Sequence, residues 1–140
     1  MPSVFEEGGA AEDRGAMKLA LVADDSRAVR GILSRILQRA GFEVVQAENG
    51  RDGMAMLLTE ARPVALVCAD WNMPEMNGLD FVRALRAESR FAATPVMMIT
   101  SETHFERMQT ALGAGVSEYV TKPFTEEVIL EKLQLLHVMD

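Results

Sequence analysis

The chain has 140 residues, of which 49% are hydrophobic and 25% charged, with a formal net charge of −7. That length suits one domain of ordinary size, able to bury about 68% of the surface its unfolded chain exposes. The negative charge argues against nucleic acid or an anionic membrane as a direct partner, and no apolar run approaches the roughly 20 residues of a membrane span.

The start, Met1-Pro2-Ser3-Val4-Phe5-Glu6-Glu7, lacks the basic and apolar stretches of a secretory signal. Residues 1–17 are rich in Gly, Ala and acids without periodicity, and read as a disordered tail before a domain at 18–140. Met17 is a second candidate start. The single cysteine, Cys68, cannot form an internal disulfide, which fits a reducing cytoplasm.

From Lys18 the pattern alternates. The first strand is predicted at 18–23. Ser26 can cap the next helix, because its hydroxyl can accept an orphan backbone N–H. That helix carries Val29, Ile32, Leu33, Ile36, Leu37 and Ala40 on one face at helical spacing. Gly31 inside it costs about 1 kcal/mol relative to alanine, and Gly41 ends it in the left-handed conformation. A strand follows at Glu43–Ala47, then a turn at Asn49-Gly50. The second helix spans 51–61 with Met54, Leu57, Leu58 and Ala61 inward, and Pro63 ends it. The third strand is 64–69, and Asn72 to Gly78 form a loop rich in turn residues. A helix at 79–88, a strand at 95–99, a helix at 103–112 and a strand at 117–121 come next. Thr125 caps a fifth helix that ends near Val138, with Ile129, Leu133 and Leu136 facing in.

Five strands alternating with five helices predict a three-layer α/β domain with a parallel sheet. Strands one, three and four are continuous apolar runs, as expected when helices cover both faces. In such a sheet ligands bind at the carboxyl ends of the strands. Asp24-Asp25, Asp70, Thr100-Ser101 and Lys122 each stand at such an end. Three carboxylates, two hydroxyls and one ammonium would converge there, a set suited to a divalent metal and a phosphoryl group.

Each of these residues alone has a plainer explanation. An Asp-Asp pair after a strand is often a solvated turn, Asp70 could cap a helix, and Lys-Pro is a common loop dipeptide. Four features in register make coincidence a poor account. Cys68, two residues before Asp70 on a buried strand, reads as a core filler. His104 falls on the exposed fourth helix and His137 in the last turn of the fifth, neither beside a partner cluster. The methionines follow core positions.

In combination, Asp24-Asp25, Asp70-Trp71-Asn72-Met73-Pro74, Thr100-Ser101 and Lys122-Pro123-Phe124-Thr125 resemble the receiver domain of two-component response regulators. Trp71-Asn72-Met73-Pro74 and Lys122-Pro123-Phe124-Thr125 are similar to its chemotaxis, CheY-like branch. The match covers 18–138, and its spacing agrees: 30 residues from Asp70 to Thr100 and 22 from Thr100 to Lys122. The resemblance implies a flavodoxin-like (βα)5 sheet of order 2-1-3-4-5, which the sequence pattern does not itself supply.

It also implies roles. Asp70 is a carboxylate nucleophile able to take a phosphoryl group as an acyl phosphate. Asp25 and Asp70 would bind Mg2+ directly, Asn72 through its backbone carbonyl and Asp24 through water. Lys122, the Thr100 hydroxyl and the Ser101 backbone N–H would hold phosphate oxygens. The Lys122-Pro123 peptide would be cis. Thr100 and Tyr119 would form the switch, and Glu102 would sit over the site and tune attack by water. Asn77 stands where the family commonly has Asp, and Val116 and Glu118 depart from its pattern beside Tyr119. The function implied is a single-domain, cytoplasmic response regulator, not a conventional enzyme. A sensor histidine kinase would phosphorylate Asp70, and a target protein would read the face of helix four, strand five and helix five. The setting would be chemotaxis or motility, with a phosphatase as a further partner, and no nucleic acid or membrane insertion.

The rivals are a phosphorelay shuttle or phosphate sink, and a haloacid-dehalogenase-like aspartyl-phosphate hydrolase. The last needs an acid two residues after the nucleophile, where this chain has Asn72.

Overall fold

A computed structural model describes residues 17–139. The elements are β1 (Lys18–Ala23), α1 (Arg27–Arg39), β2 (Phe42–Ala47), α2 (Gly50–Thr59), β3 (Val64–Ala69), α3 (Gly78–Ala87), β4 (Val96–Thr100), α4 (Phe105–Ala114), β5 (Glu118–Thr121) and α5 (Glu126–Leu135). One 3-10 turn, Ser89–Phe91, lies between α3 and β4 and was not anticipated. The five strands form one parallel sheet in the order β2-β1-β3-β4-β5. The fold and strand order implied by the resemblance are therefore present. The disordered-tail reading falls on residues 1–16, which lie outside the described residues, apart from Met17.

Side chains alternate across each strand and divide the core in two. Leu21 and Ala23 of β1, Val67 and Ala69 of β3, and Val96 and Met98 of β4 face Leu57, Phe81, Val82, Leu85 and Ala111 from α2, α3 and α4. Ala20 and Val22, Leu66 and Cys68, and Met97 and Ile99 face Leu33, Ile36, Leu37, Ile129 and Leu133 from α1 and α5. Burial of both faces explains the continuous apolar runs. Cys68 is a core filler, and burial pushes its thiol up to about 12, so it stays protonated.

The caps follow side-chain chemistry. Ser26 Oγ accepts from Val29 N at 3.2 Å and Thr125 Oγ1 from Val128 N at 3.2 Å, as the sequence suggests. Asn49 and Asn77, read as turn and loop residues, do the same for α2 and α3: each Oδ1 accepts a backbone N–H at 2.8 Å. Gly41 adopts φ +102 just past α1, as expected.

Several boundaries shift by one to three residues. α1 does not bury Ile32, which is 44% exposed at the edge of the apolar stripe; Arg30 and Ser34 are buried instead, because the helix rolls them toward the sheet. α2 stops at Thr59, which leaves Ala61 outside it and exposed, and Leu58 within it is exposed as well. Arg90 ties down that end: its guanidinium donates to the carbonyl of Leu57 in the last turn and to those of Glu60 and Arg62 past it. α5 stops at Leu135, and His137 lies beyond it at φ +57 rather than in its last turn. His104 is exposed, at the N-cap of α4 rather than within the helix.

These placements separate two leucine-like positions that the sequence puts on one face. Leu37→Ala should cost about 2–5 kcal/mol, because Leu37 is fully enclosed. Ile32→Ala should change stability by no more than about 0.5 kcal/mol. Urea denaturation of the two variants checks this; equal losses would place Ile32 in the core.

Candidate functional site: an acidic edge with one lysine

Backbone geometry brings the strand ends together. Asp70 N donates to Ala23 O at 3.1 Å, Asp24 N to Ala47 O at 3.1 Å and Lys122 N to Thr100 O at 2.9 Å, so neighbouring strands run out side by side. Asp24, Asp70 and Thr100 are buried there, while Asp25 and Ser101 are exposed. Lys122 Nζ donates to Asp24 Oδ2 at 2.9 Å and to Asp70 Oδ2 at 2.7 Å. The Lys122-Pro123 peptide is cis.

The remaining carboxylate oxygens are also engaged. Asp24 Oδ1 accepts from Ser26 N at 2.8 Å, and Asp70 Oδ1 from Asn72 N at 3.3 Å. Gly78 is needed behind Asp70. A Cβ on it would lie 2.0 Å from the Asp70 carbonyl oxygen, an approach only glycine allows. Gly78 N donates to Trp71 O at 2.8 Å and closes this loop.

Ligand atoms of Asp24, Asp25 and Asp70 all lie within 4.8 Å of one another and could hold a metal ion. Their hard oxygen donors suit Mg2+, Ca2+ or Mn2+ rather than a thiophilic metal. Burial raises the Asp24 pKa, with hydrogen bonds from Lys122 and Ser26 opposing. Charging Asp24 therefore costs stability at neutral pH, a cost that disappears as pH falls through its raised value. Burial would lower the Lys122 pKa, but its bonds to Asp70 and Asp24 outweigh that and hold it above the ordinary 10.5.

Glu102 joins the other site residues. Its backbone N donates to Thr100 Oγ1 at 3.3 Å, its carbonyl accepts from Tyr119 OH at 2.7 Å, and its Oε2 accepts from Asn72 Nδ2 at 3.1 Å. Glu102 thus touches the expected switch pair and the loop after Asp70 at once. Burial, followed by the Glu102 charge, raises the Tyr119 pKa and keeps the phenol a donor.

The sequence reading missed Arg30. Its Nη1 donates to the Asp24 carbonyl at 2.8 Å and its Nε to Gln46 Oε1 at 3.2 Å, which fixes the Asp24-Asp25 turn from below. The available signal was an arginine where α1's face needs a buried residue. The Glu102 junction had none, because two of its three bonds use backbone atoms. No helix among the described residues is long and apolar enough to cross a membrane.

Comparison with known proteins agrees with this geometry. A response regulator receiver domain model matches residues 20–134. Chemotaxis protein CheY1 of Helicobacter pylori is 47% identical over 121 residues, spanning 86% of this chain and 96% of that protein. A chemotaxis CheY homolog of Campylobacter jejuni is 45% identical over 119 residues, spanning 84% and 90%. The solved structure of the chemotaxis response regulator CheY4 of Vibrio cholerae has a TM-score of 0.79 at 37% identity, covering 86% of this chain and 98% of that one.

Lys122 is the cation that offsets two buried acids, so its removal is informative. Lys122→Met should destabilise the metal-free protein at pH 7 by about 1–3 kcal/mol, and millimolar Mg2+ should restore part of it. The wild type should also lose stability as pH rises above 10.5, because a raised lysine pKa stabilises only while the lysine is protonated. Lys122→Met should lack that alkaline component. Urea titrations across pH, with and without Mg2+, give both readouts; unchanged stability in the variant would show that the ion pair carries nothing.

Proposed function

The chain belongs to the response regulator receiver family, and on that premise we propose that Asp70 is its phosphoacceptor, with Mg2+ as cofactor and a sensor histidine kinase as donor. Members of this family are signalling proteins rather than conventional enzymes, and the relatives that this chain resembles are chemotaxis response regulators. The observation that carries the proposal is the convergence of Asp24, Asp25 and Asp70 with Lys122 Nζ 2.7 Å from the Asp70 carboxylate.

An Asp70 carboxylate oxygen attacks the phosphorus of phosphohistidine. The P–N bond breaks, its electron pair returns to the imidazole, and an aspartyl phosphate forms. Bound Mg2+ supplies charge neutralisation and alignment for the transferring oxygens. Asp25 and Asp70, the Asn72 carbonyl and, through water, Asp24 are the residues assigned to hold it. Lys122 is within reach of an oxygen on Asp70 and is assigned a phosphate oxygen. Ser101 is exposed, and its backbone N–H is assigned another.

Signal output follows from the Glu102 junction. A phosphoryl group carries about −1.5 to −2 charges and offers Thr100 a charge-assisted hydrogen bond. The Thr100 hydroxyl, which accepts from Glu102 N, then donates to the phosphate and moves toward it, and Tyr119 releases the Glu102 carbonyl and turns inward. The face of α4, β5 and α5 changes shape, and a target protein that prefers the new shape reads it. We place this domain at 18–140, in the cytoplasm, and in chemotaxis or motility, with a phosphatase as a further partner that resets it.

Two experiments test the acceptor. Mg2+ at millimolar levels should change Trp71 fluorescence, and Asp25→Asn should weaken that affinity at least about tenfold. Beryllofluoride or acetyl phosphate should modify the wild type only with Mg2+ present, and Asp70→Asn should abolish modification. Modification of Asp70→Asn at the wild-type rate would assign the chemistry elsewhere.

A third separates acceptance from output. Thr100→Ala and Lys122→Ala should still be modified at Asp70, yet both should lose most of the beryllofluoride-induced amide shifts across 103–138. Wild-type shifts in Thr100→Ala would remove Thr100 from the coupling route.

A further inference from the structure

Four helices begin on a side chain that accepts a backbone N–H of the first turn: Ser26, Asn49, Asn77 and Thr125. α4 does not. His104 at its N-cap makes no side-chain cap bond, so the orphan donors of that turn gain no side-chain acceptor. α4 is also thinly buried, with Ala111 its one fully buried residue and Phe105, its first, 67% exposed. An open groove of about 620 Å³ along its first turns is lined by α4 side chains and the His104 cap.

The far end of α4 is built differently. Gly115 turns the chain at φ +115, and Arg86 of α3 donates twice to the Gly115 carbonyl, at 3.1 and 2.7 Å. The first half of the helix is tied across to the Asp70 loop by another contact. The Arg107 guanidinium lies over the Trp71 ring, 5.2 Å from its centroid. Arg107 stands one turn before Ala111 on the same face of α4, and Trp71, Ala111 and Tyr119 share one hydrophobic cluster.

Trp71 is not neutral ground. It follows Asp70 directly, is 4% exposed, and its carbonyl is held by Gly78 N. Movement of the Asp70 loop therefore moves the ring that Arg107 rests on. Arg107 also lies close enough to Tyr119 to oppose, by its charge, the rise that burial imposes on the phenol's pKa.

We propose that Arg107 is a positioning residue whose stack on Trp71 ties the first turn of α4 to the loop that carries Asp70. A change at the Asp70 carboxylate then reaches α4 through the indole, in parallel with the route through Thr100 and Tyr119. This rests on Asp70 as the phosphoacceptor. It assigns to α4 a second attachment that the family pattern of acids, hydroxyl and lysine does not contain.

The test uses the full chain as wild type, Arg107→Ala and Arg107→Lys, each with and without Mg2+ and beryllofluoride. Fluorine NMR reports occupancy at Asp70. Amide exchange reports residues 108–111, whose N–H groups bond back to the carbonyls of the first turn, and, separately, 121–138. Acrylamide quenching reports Trp71, the chain's one tryptophan. All three proteins should bind beryllofluoride alike. Without it, Arg107→Ala should expose Trp71 to quencher and speed exchange at 108–111 by at least about threefold, because the stack ties the turn those amides bond to. With it, the response at 108–111 should shrink in Arg107→Ala and be partly kept in Arg107→Lys, which retains a cation but not a planar one. The response at 121–138 should persist. Full occupancy with a wild-type response at 108–111 in Arg107→Ala overturns the proposal. Failure of the wild type to bind beryllofluoride instead overturns the phosphoacceptor reading. The tie is then judged on the ligand-free comparison, where unchanged quenching and exchange in Arg107→Ala overturn it.

Discussion

Lys122, shared between Asp24 and Asp70, is the interaction on which the site depends. Two nearly buried carboxylates are forced together because β1 and β3 are neighbours whose ends coincide. Like charges that close, taken out of water, are costly unless a cation or metal compensates them. The compensating group comes not from an adjacent strand but from β5, with β4 standing between it and β3. A long side chain at the end of β5 spans that gap, and a short one at the end of β4, Thr100, leaves room for it. The order β2-β1-β3-β4-β5 thus explains why the edge carries acid, acid, hydroxyl and ammonium in that spatial sequence.

The parts legible in the sequence were those with a repeating physical signature. Strand runs such as Leu19 to Val22 and Met97 to Ile99 are apolar because both sheet faces are covered, and they announce themselves. So do Asp24 and Asp70, polar groups at the ends of such runs, whereas Lys122 follows the mixed strand Glu118–Thr121. The strand order was legible only through resemblance, since a parallel sheet of alternating elements admits other windings. Ile32 misled because a helix's apolar stripe is wider than the strip that meets the sheet. Arg30 and Ser34 took the buried places instead, and Arg30 is buried for the Asp24 carbonyl it holds. Asn49 and Asn77 looked like turn residues because a helix cap and an Asx turn use the same side-chain bond.

Glu102 shows what a sequence does not carry. Its position two residues after Thr100 places it over the site, but the Thr100 and Tyr119 bonds use its backbone N–H and carbonyl, which every residue except proline has. Neutral hydrogen bonds of this kind contribute about 0.5–1.5 kcal/mol each. Loss of one or two of them is enough to shift a balance between two conformations. Coupling between sites typically amounts to about 1–3 kcal/mol. If Asp70 is the phosphoacceptor proposed above, one covalent change there is of a size to reset the junction without threatening the fold.

Economy of this kind also needs an element that moves at little cost. α1 and α5 bury leucine and isoleucine side chains against the sheet, and α3 buries Phe81, Val82 and Leu85. Displacement of any of them would open a cavity, at about 24 cal/mol per Å³. α4 buries one alanine and opens its first turn to solvent. Its displacement exposes little apolar surface, so the penalty for a second position is small and the population of that position is easily biased. α4 flanks β5 on one side and follows the Thr100 strand on the other. The helix least committed to the core therefore stands next to both Thr100 and Tyr119. Under the proposed role of Asp70, a signal that begins as charge there meets the part of the fold with the least packing to oppose it.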